Sequence, residues 1–177
     1  MTALASPSLD LYDSWAATVV EFGGAHLDGA SIPVEEASDV SREACERLVS
    51  KTARDRDVSV PPAVGRVHAS AFWITDDGQV VGFIQLRHEL NEFLENVGGH
   101  IGYSVRPSSR RQGHARRALG LVLDEARALG LERVLITCDE DNGASARTIE
   151  SQGGELQDVI DAAAYGYGLT RRYWIKL

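Results

Sequence analysis

Cysteine is scarce in this sequence: two residues in 177, Cys45 and Cys138. They lie far apart, each within a helix-like or strand-like run. That excludes a disulfide framework and points to two free thiols in a reducing compartment. Long apolar runs are missing, and none approaches the ~20 residues that a membrane span needs. The opening MTALASPSLD has neither a basic nor an apolar region, so no secretory signal is read and a cytoplasmic location is expected. No GxxxxGK followed by Ser or Thr occurs, and no GxGxxG follows a strand, which excludes a P-loop and a Rossmann fingerprint. Basic residues are the minority, 18 Lys or Arg against 26 Asp or Glu, for a net charge of −8. That balance disfavours non-specific nucleic-acid binding. It suits solubility and a cationic substrate. What is present is ordinary globular composition, 44% hydrophobic and 25% charged. No repeat, low-complexity tract or linker divides the chain, and its length suits one domain over residues 1–177.

Residues 2–6 read as a short first strand. From Leu9 to Phe22, apolar residues recur at Tyr12, Trp15, Ala16, Val19 and Phe22, a helical stripe that Gly23-Gly24 ends. Residues 25–40 read as loop. Ser41 is the expected N-cap of a second helix reaching about Asp55, with Ala44, Cys45, Leu48, Val49 and Thr52 inward. The period then changes. Ser70–Thr75 and Gln79–His88 read as strands joined by Asp76-Asp77-Gly78, a hairpin signature. Leu90–Val97 fits two helical turns, and His100–Val105 is a strand. Residues 114–129 form the clearest helix, with Ala115, Ala118, Leu119, Val122, Ala126 and Leu129 on its buried face and Gly130 as its stop. Val134–Cys138 is a continuous apolar strand, Asn142–Gln152 a helix, and Leu156–Ile160 and Arg172–Leu177 the last strands. The strand–helix–strand run over 100–138 predicts a right-handed parallel unit in an otherwise antiparallel sheet. The expected fold is α/β, a central mixed β-sheet with helices on its faces.

Charge is unevenly spread. The window from Arg106 to Arg117 holds five arginines and no acid, so it carries +5 and the remainder −13. A strand ends at Val105 and a helix begins near Gly113. Backbone N–H groups at a helix start have no intrahelical partner, and with the helix dipole they attract an anion. Gly113 lets a phosphate approach the backbone. Ala115 keeps the next-but-one position small, and arginines 110, 111, 116 and 117 can add charge-assisted bonds. The stretch reads as a diphosphate cradle. The plain alternative is a solvated helix face.

The pattern Arg110-x-x-Gly113-x-Ala115 resembles the R/Q-x-x-G-x-G/A signature of the GNAT acetyltransferase superfamily, at the strand-to-helix turn where that family carries it. The segment Cys138-Asp139-Glu140-Asp141-Asn142-x-x-Ser145, running on to Thr148-Ile149-Glu150 and Gly153-Gly154, resembles the family's strand end, Asn and following helix. With GGHIGYSVRPSSRRQGHA and the terminal RRYWI, the chain is similar to a bacterial subgroup of GNAT acetyltransferases over roughly residues 70–177, and more loosely before them. The resemblance implies acetyl-CoA as co-substrate. Val105 would offer backbone hydrogen bonds to the pantetheine arm. Arg110, Arg111, Gln112, Gly113, His114, Ala115 and Arg116 would hold the pyrophosphate. Asn142 would bond the pantetheine or sit beside the thioester. A parallel strand pair splayed at its C-terminal ends would leave the slot between them.

Acetyl transfer to an amine needs a neutral nucleophile, a donor for the oxyanion and a proton for the leaving thiolate. Many members of the family use a Tyr seven residues after the helix-start Asn; here that position is Ile149, which cannot donate. Tyr103 and His100, on opposite faces of one strand, are the catalytic candidates. Each also reads plainly as a core aromatic or a structural histidine. His88-Glu89, Tyr165 and Tyr167 could face the acceptor. Cys138 could form an acyl-enzyme, though a buried small hydrophobe is the simpler role. No metal site is expected, since His88-Glu89 lacks the second His of HExxH. Expected partners are a small-molecule or peptide amine, no nucleic acid and no membrane, with a homodimer left open. Two other readings stand beside the enzyme: an acyl-CoA-binding module without catalysis, and a nucleic-acid binder, which lacks an aromatic platform within 106–117.

Overall fold

The computed structural model describes residues 1–25 and 27–177. A two-residue turn, Asp77-Gly78, joins β2 (Ala69–Asp76) to β3 (Gln79–Arg87) as an antiparallel hairpin. With β1 (Ala3–Ala5) on one edge and β4 (Ile101–Val105) on the other, the hairpin makes a four-stranded sheet in the order β1-β2-β3-β4. A second sheet comprises β5 (Arg133–Asp139), β6 (Glu155–Asp161) and β7 (Leu169–Lys176), with β7 in the middle.

Side chains alternate across the first sheet, so it needs cover on both faces. Trp73 and Phe83 pack with Trp15 and Val19 of α1 (Tyr12–Glu21) and with Cys45 and Leu48 of α2 (Arg42–Arg56). Phe72, Ile74, Ile84 and Leu86 point the other way. They meet Leu119, Val122 and Ala126 of α4 (His114–Ala128), along with Ile136 of β5, Ile149 of α5 (Gly143–Glu150) and Tyr173 of β7. This second core ties both sheets to α4. The result is an α/β fold with helices flanking its strands, as the alternation of periods predicts; in place of one mixed sheet there are two antiparallel ones. Ser41 caps α2, its Oγ accepting the Ala44 N–H at 3.1 Å. Both cysteines are free and buried. Among the described residues no helix is long and apolar enough to cross a membrane.

Several elements differ from expectation. The first turn of the predicted helix over 9–22 is a 3-10 turn, Leu9–Leu11, because Ser8 Oγ captures the Asp10 N–H. The expected loop over 25–40 contains another, Val34–Glu36; its residue His26 lies outside the described residues. The helix predicted over 90–97 shortens to α3 (Glu92–Asn96), because Asn91 is its N-cap and accepts the Leu94 N–H at 3.0 Å. The last strand starts earlier, at Leu169, since Thr170 and Arg171 pair with Asp139 and Cys138.

The main correction concerns β4 and β5. Every ladder is antiparallel, and the parallel pairing expected across 100–138 is not formed among the described residues. The physical reason lies at His100. Its N–H donates to the Leu135 carbonyl at 2.7 Å. Its carbonyl, which a parallel ladder would offer next to the Thr137 N–H, instead accepts the Arg87 N–H of β3 at 2.7 Å, and its ring Nδ1 takes the Leu135 N–H at 2.9 Å. Gly99 makes this approach feasible: its φ is +56°, and a Cβ there would strike the Leu135 carbonyl.

Candidate active site

β4 and β5 flank the boundary between the sheets. The Arg106 N–H donates to the Val81 carbonyl at 2.9 Å, so the backbone groups of Val105 and Tyr103 turn to the opposite edge of β4, toward that boundary. The Val105 carbonyl accepts Arg110 Nε–H at 3.0 Å. An extended ligand would therefore meet the Val105 N–H on this edge, with Arg110 beside it.

Beyond β4 comes a 3-10 turn, Pro107–Ser109, then α4. Gly113 is the N-cap of α4 at φ 84°, ψ 6°, a left-handed conformation costly for other residues. Arg111 shares the positive φ, at 60°. The first N–H of α4 to return to the cap is that of Arg117, to the Gly113 carbonyl at 3.1 Å. The N–H groups of His114, Ala115 and Arg116 precede it and stay outside the ladder, at the positive end of the helix dipole. Arg110, Arg111, Gln112 and Arg116 are exposed around them. The His114 ring turns away: it is buried, with Nδ1 2.9 Å from Thr2 Oγ1 on the N-terminal side of β1. Only the backbone of His114 belongs to the cradle. Such a turn can bind a diphosphate.

Tyr103 leaves β4 on the α4 side and packs against the second core. Its hydroxyl lies 2.9 Å from Ser145 Oγ and donates to the Ser145 carbonyl at 3.4 Å. Burial pushes the Tyr103 hydroxyl up to about 12, so it holds its proton at neutral pH. Asn142 caps α5, its Oδ1 accepting the Ser145 N–H at 3.1 Å. Cys138 ends the buried run of β5 beside Ser145; burial pushes its thiol up, and Arg171 on β7 partly offsets this. Ile149 is fully buried in the core and faces apolar neighbours.

His100 is a different case. With Nδ1 accepting from Leu135, its remaining proton sits on Nε2. Trp174 lies edge-on to its ring at 6.3 Å, and burial lowers its pKa to about 4. The structure therefore separates the two catalytic candidates: Tyr103 is joined to α5, and His100 is locked into the β4–β5 junction.

At the far end of β5, a cleft of about 530 Å³ is lined by Asp139, Glu140, Asp141, Gly166, Tyr167, Gly168 and Leu169. Tyr165 and Tyr167 both meet Phe93 edge-on, and the Tyr165 hydroxyl accepts Asn96 Nδ2–H at 3.1 Å. His88 is engaged elsewhere, with Nε2 2.9 Å from Ser70 Oγ and its ring stacked on His68. Among the described residues, no three His, Cys, Asp or Glu side chains gather as a metal could require. Sequence reasoning missed Ser145 as a partner of Tyr103. Its only local signal was the Asn142-x-x-Ser145 spacing, which helix capping alone explains.

The sequence profile of the acetyltransferase (GNAT) family matches residues 35–153. No curated protein sequence matches the chain. Among solved structures, RimJ of Mycobacterium smegmatis in complex with CoA-disulfide superposes with a TM-score of 0.72 at 19% identity, over 99% of this chain and 81% of that one. RimL, a ribosomal L7/L12 alpha-N-protein acetyltransferase in complex with coenzyme A, gives 0.71 at 18% identity, over 99% and 94%. The microcin C7 self-immunity acetyltransferase MccE, in complex with acetyl-CoA and AMP, gives 0.66 at 15% identity, over 99% and 92%. At these identities the structural likeness speaks for the fold.

Proposed function

This chain belongs to the acetyltransferase (GNAT) family, and we propose that it moves the acetyl group of acetyl-CoA onto a primary amine of a small molecule or protein by direct attack in a ternary complex. Residues 1–177 act as one N-acetyltransferase domain, working in the cytoplasm. One observation carries the reading. A left-handed Gly113 turn follows β4, the Tyr103–Ser145 hydrogen bond joins β4 to the helix that follows β5, and an acidic cleft opens where β5 ends.

The roles follow from that order. The N–H groups of Gly113, His114, Ala115 and Arg116, with the side chains of Arg110, Arg111 and Gln112, hold the diphosphate. The Val105 N–H and the Asn142 amide hold the pantetheine arm, which extends along the edge of β4. Acetyl-CoA supplies the activated acyl group. Tyr103 keeps its proton at neutral pH and hydrogen-bonds Ser145, so the pair can deliver a proton toward the departing thiolate. This takes over the task that Ile149 cannot perform. His100 serves the reaction indirectly, by fixing where the two strands meet. The carboxylates of Asp139, Glu140 and Asp141 favour an acceptor that arrives as a cation, and Tyr167 gives it a face to pack on; its ammonium gives one proton to solvent water, and the neutral amine then attacks the thioester carbonyl. Aligning acceptor and thioester in one cleft supplies much of the rate.

The test is turnover. Purified protein with acetyl-CoA is offered a panel of primary amines that includes a peptide with a free N-terminus, and free thiol and acetylated mass are followed together. Equal release of thiol and acetyl-amine is the expected result. A protein that binds acetyl-CoA yet releases no thiol with any amine would be a binding module, consistent with the apolar residue at 149.

A further inference from the structure

Glu21 is the last residue of α1, 87 residues from its partner Ser108. One carboxylate takes both donors of Ser108: Oε1 accepts the Ser108 N–H at 2.5 Å, and Oε2 accepts the Ser108 hydroxyl at 2.9 Å. Ser108 is the middle residue of the 3-10 turn Pro107–Ser109, directly ahead of Arg110. An N–H at the start of such a turn has no partner inside it, and Pro107 has no N–H at all. Glu21 therefore acts as a cap supplied by another element. Arg106 is the N-cap of the same turn. Its Nε lies 3.8 Å from Glu21 Oε2 and donates to Ser109 Oγ at 3.0 Å. From the turn the bonds run on: the Ser108 carbonyl accepts Gln112 Nε2–H at 3.2 Å, and Gln112 in turn offers its carbonyl to Arg117 at 3.0 Å.

At its other end Glu21 is anchored. Trp15 and Val19 of the same helix are 1% exposed, packed on the first sheet. The carboxylate thus hangs from a helix packed on the first sheet and grips a short turn two residues before the cradle begins.

We infer that Glu21 is a positioning residue for acetyl-CoA: it holds the Pro107–Ser109 turn so that the Arg110–Ala115 loop is preset to receive the diphosphate. This rests on the reading of that loop as the cofactor cradle. It also makes a counter-intuitive claim. Glu21 is an anion near a site for an anion, and a purely electrostatic view has its removal tighten binding. Positioning has removal weaken it, because the loop must then be ordered at the moment of binding.

The experiment measures binding and kinetics of Glu21→Ala, Glu21→Gln and Ser108→Ala with two donors, acetyl-CoA and S-acetylpantetheine, which has no diphosphate. Positioning predicts about tenfold weaker acetyl-CoA binding for Glu21→Ala, seen in Kd and KM more than in kcat. Glu21→Gln can still accept the Ser108 N–H and recovers most of the loss. Ser108→Ala, which loses only the hydroxyl bond, falls between. None of the three changes the KM for S-acetylpantetheine. Tighter acetyl-CoA binding in both Glu21 variants would overturn positioning in favour of simple repulsion. A lowered Tm with unchanged Kd would overturn it in favour of a structural role, and an equal loss with both donors would do the same. A wild-type protein that does not bind acetyl-CoA would instead remove the cradle reading on which the inference stands.

Discussion

Tyr103 of β4 and Ser145 of α5 stand 2.9 Å apart, hydroxyl to hydroxyl, and their bond spans two elements that share no strand ladder. The two residues are 42 apart in sequence. The bond places a proton-holding pair beside Cys138, at the level where β4 and β5 part.

That pair predicts a pattern of losses. Ser145→Ala should lower kcat about 10²-fold, the low end of general acid catalysis, with little change in KM for acetyl-CoA. Tyr103→Phe should lower kcat by a similar factor and also reduce stability by about 1 kcal/mol through the lost hydrogen bond. The double variant should be no slower than Ser145→Ala alone, because the two act as one unit. Steady-state kinetics on the three proteins checks this; multiplicative losses would mean independent roles.

Cys138 is expected to be a bystander. Burial raises its thiol, and Asp139 and Glu150 add to the rise, so little thiolate is available for attack. Cys138→Ala should keep most of its turnover, and initial-rate plots should intersect. A dead variant that still binds CoA, together with a trapped acetyl-enzyme mass, would replace direct transfer with a covalent route.

The β4–β5 junction should carry a pH signature. His100 is held neutral in the fold, its pKa lowered to about 4 from an ordinary value of 6.5. A base with a depressed folded pKa is protonated more readily in the unfolded chain. Its neutrality therefore costs nothing above about pH 6.5, and stability is lost as pH falls from there toward about 4. The loss is on the order of 2–3 kcal/mol across that window. Denaturant unfolding at pH 7 and pH 4.5 should show a smaller drop for His100→Asn, which keeps an acceptor for the Leu135 N–H but does not titrate. An equal drop in both proteins would remove His100 from the acid limb.

How legible all this was in the chain depends on how local each cause is. The Gly113 turn and α4 were legible because the 3.6-residue stripe, the glycine and the arginines sit within one stretch. The hairpin was legible because Asp77-Gly78 decides its turn locally. The missing β4–β5 ladder was not, because the rule for strand–helix–strand units assumes that backbone groups pair with backbone groups. Here the His100 carbonyl is taken by Arg87 of β3 and its ring takes the Leu135 N–H. Ser145 was hidden behind a sufficient local explanation, the Asn142 cap. Glu21 was invisible because its partner lies 87 residues away and nothing near it in sequence marks it.

The account rests on acetyl-CoA seating its diphosphate at the Gly113 turn, and calorimetric titration of acetyl-CoA into wild-type protein and Gly113→Val tests this most directly. Valine is strained at φ 84°, and its side chain enters the space in front of the free N–H groups near Arg117. With circular dichroism confirming that the variant is folded, the account predicts clear binding by wild type and at least about tenfold weaker binding by the variant. Equal affinity in a folded Gly113→Val protein would contradict it.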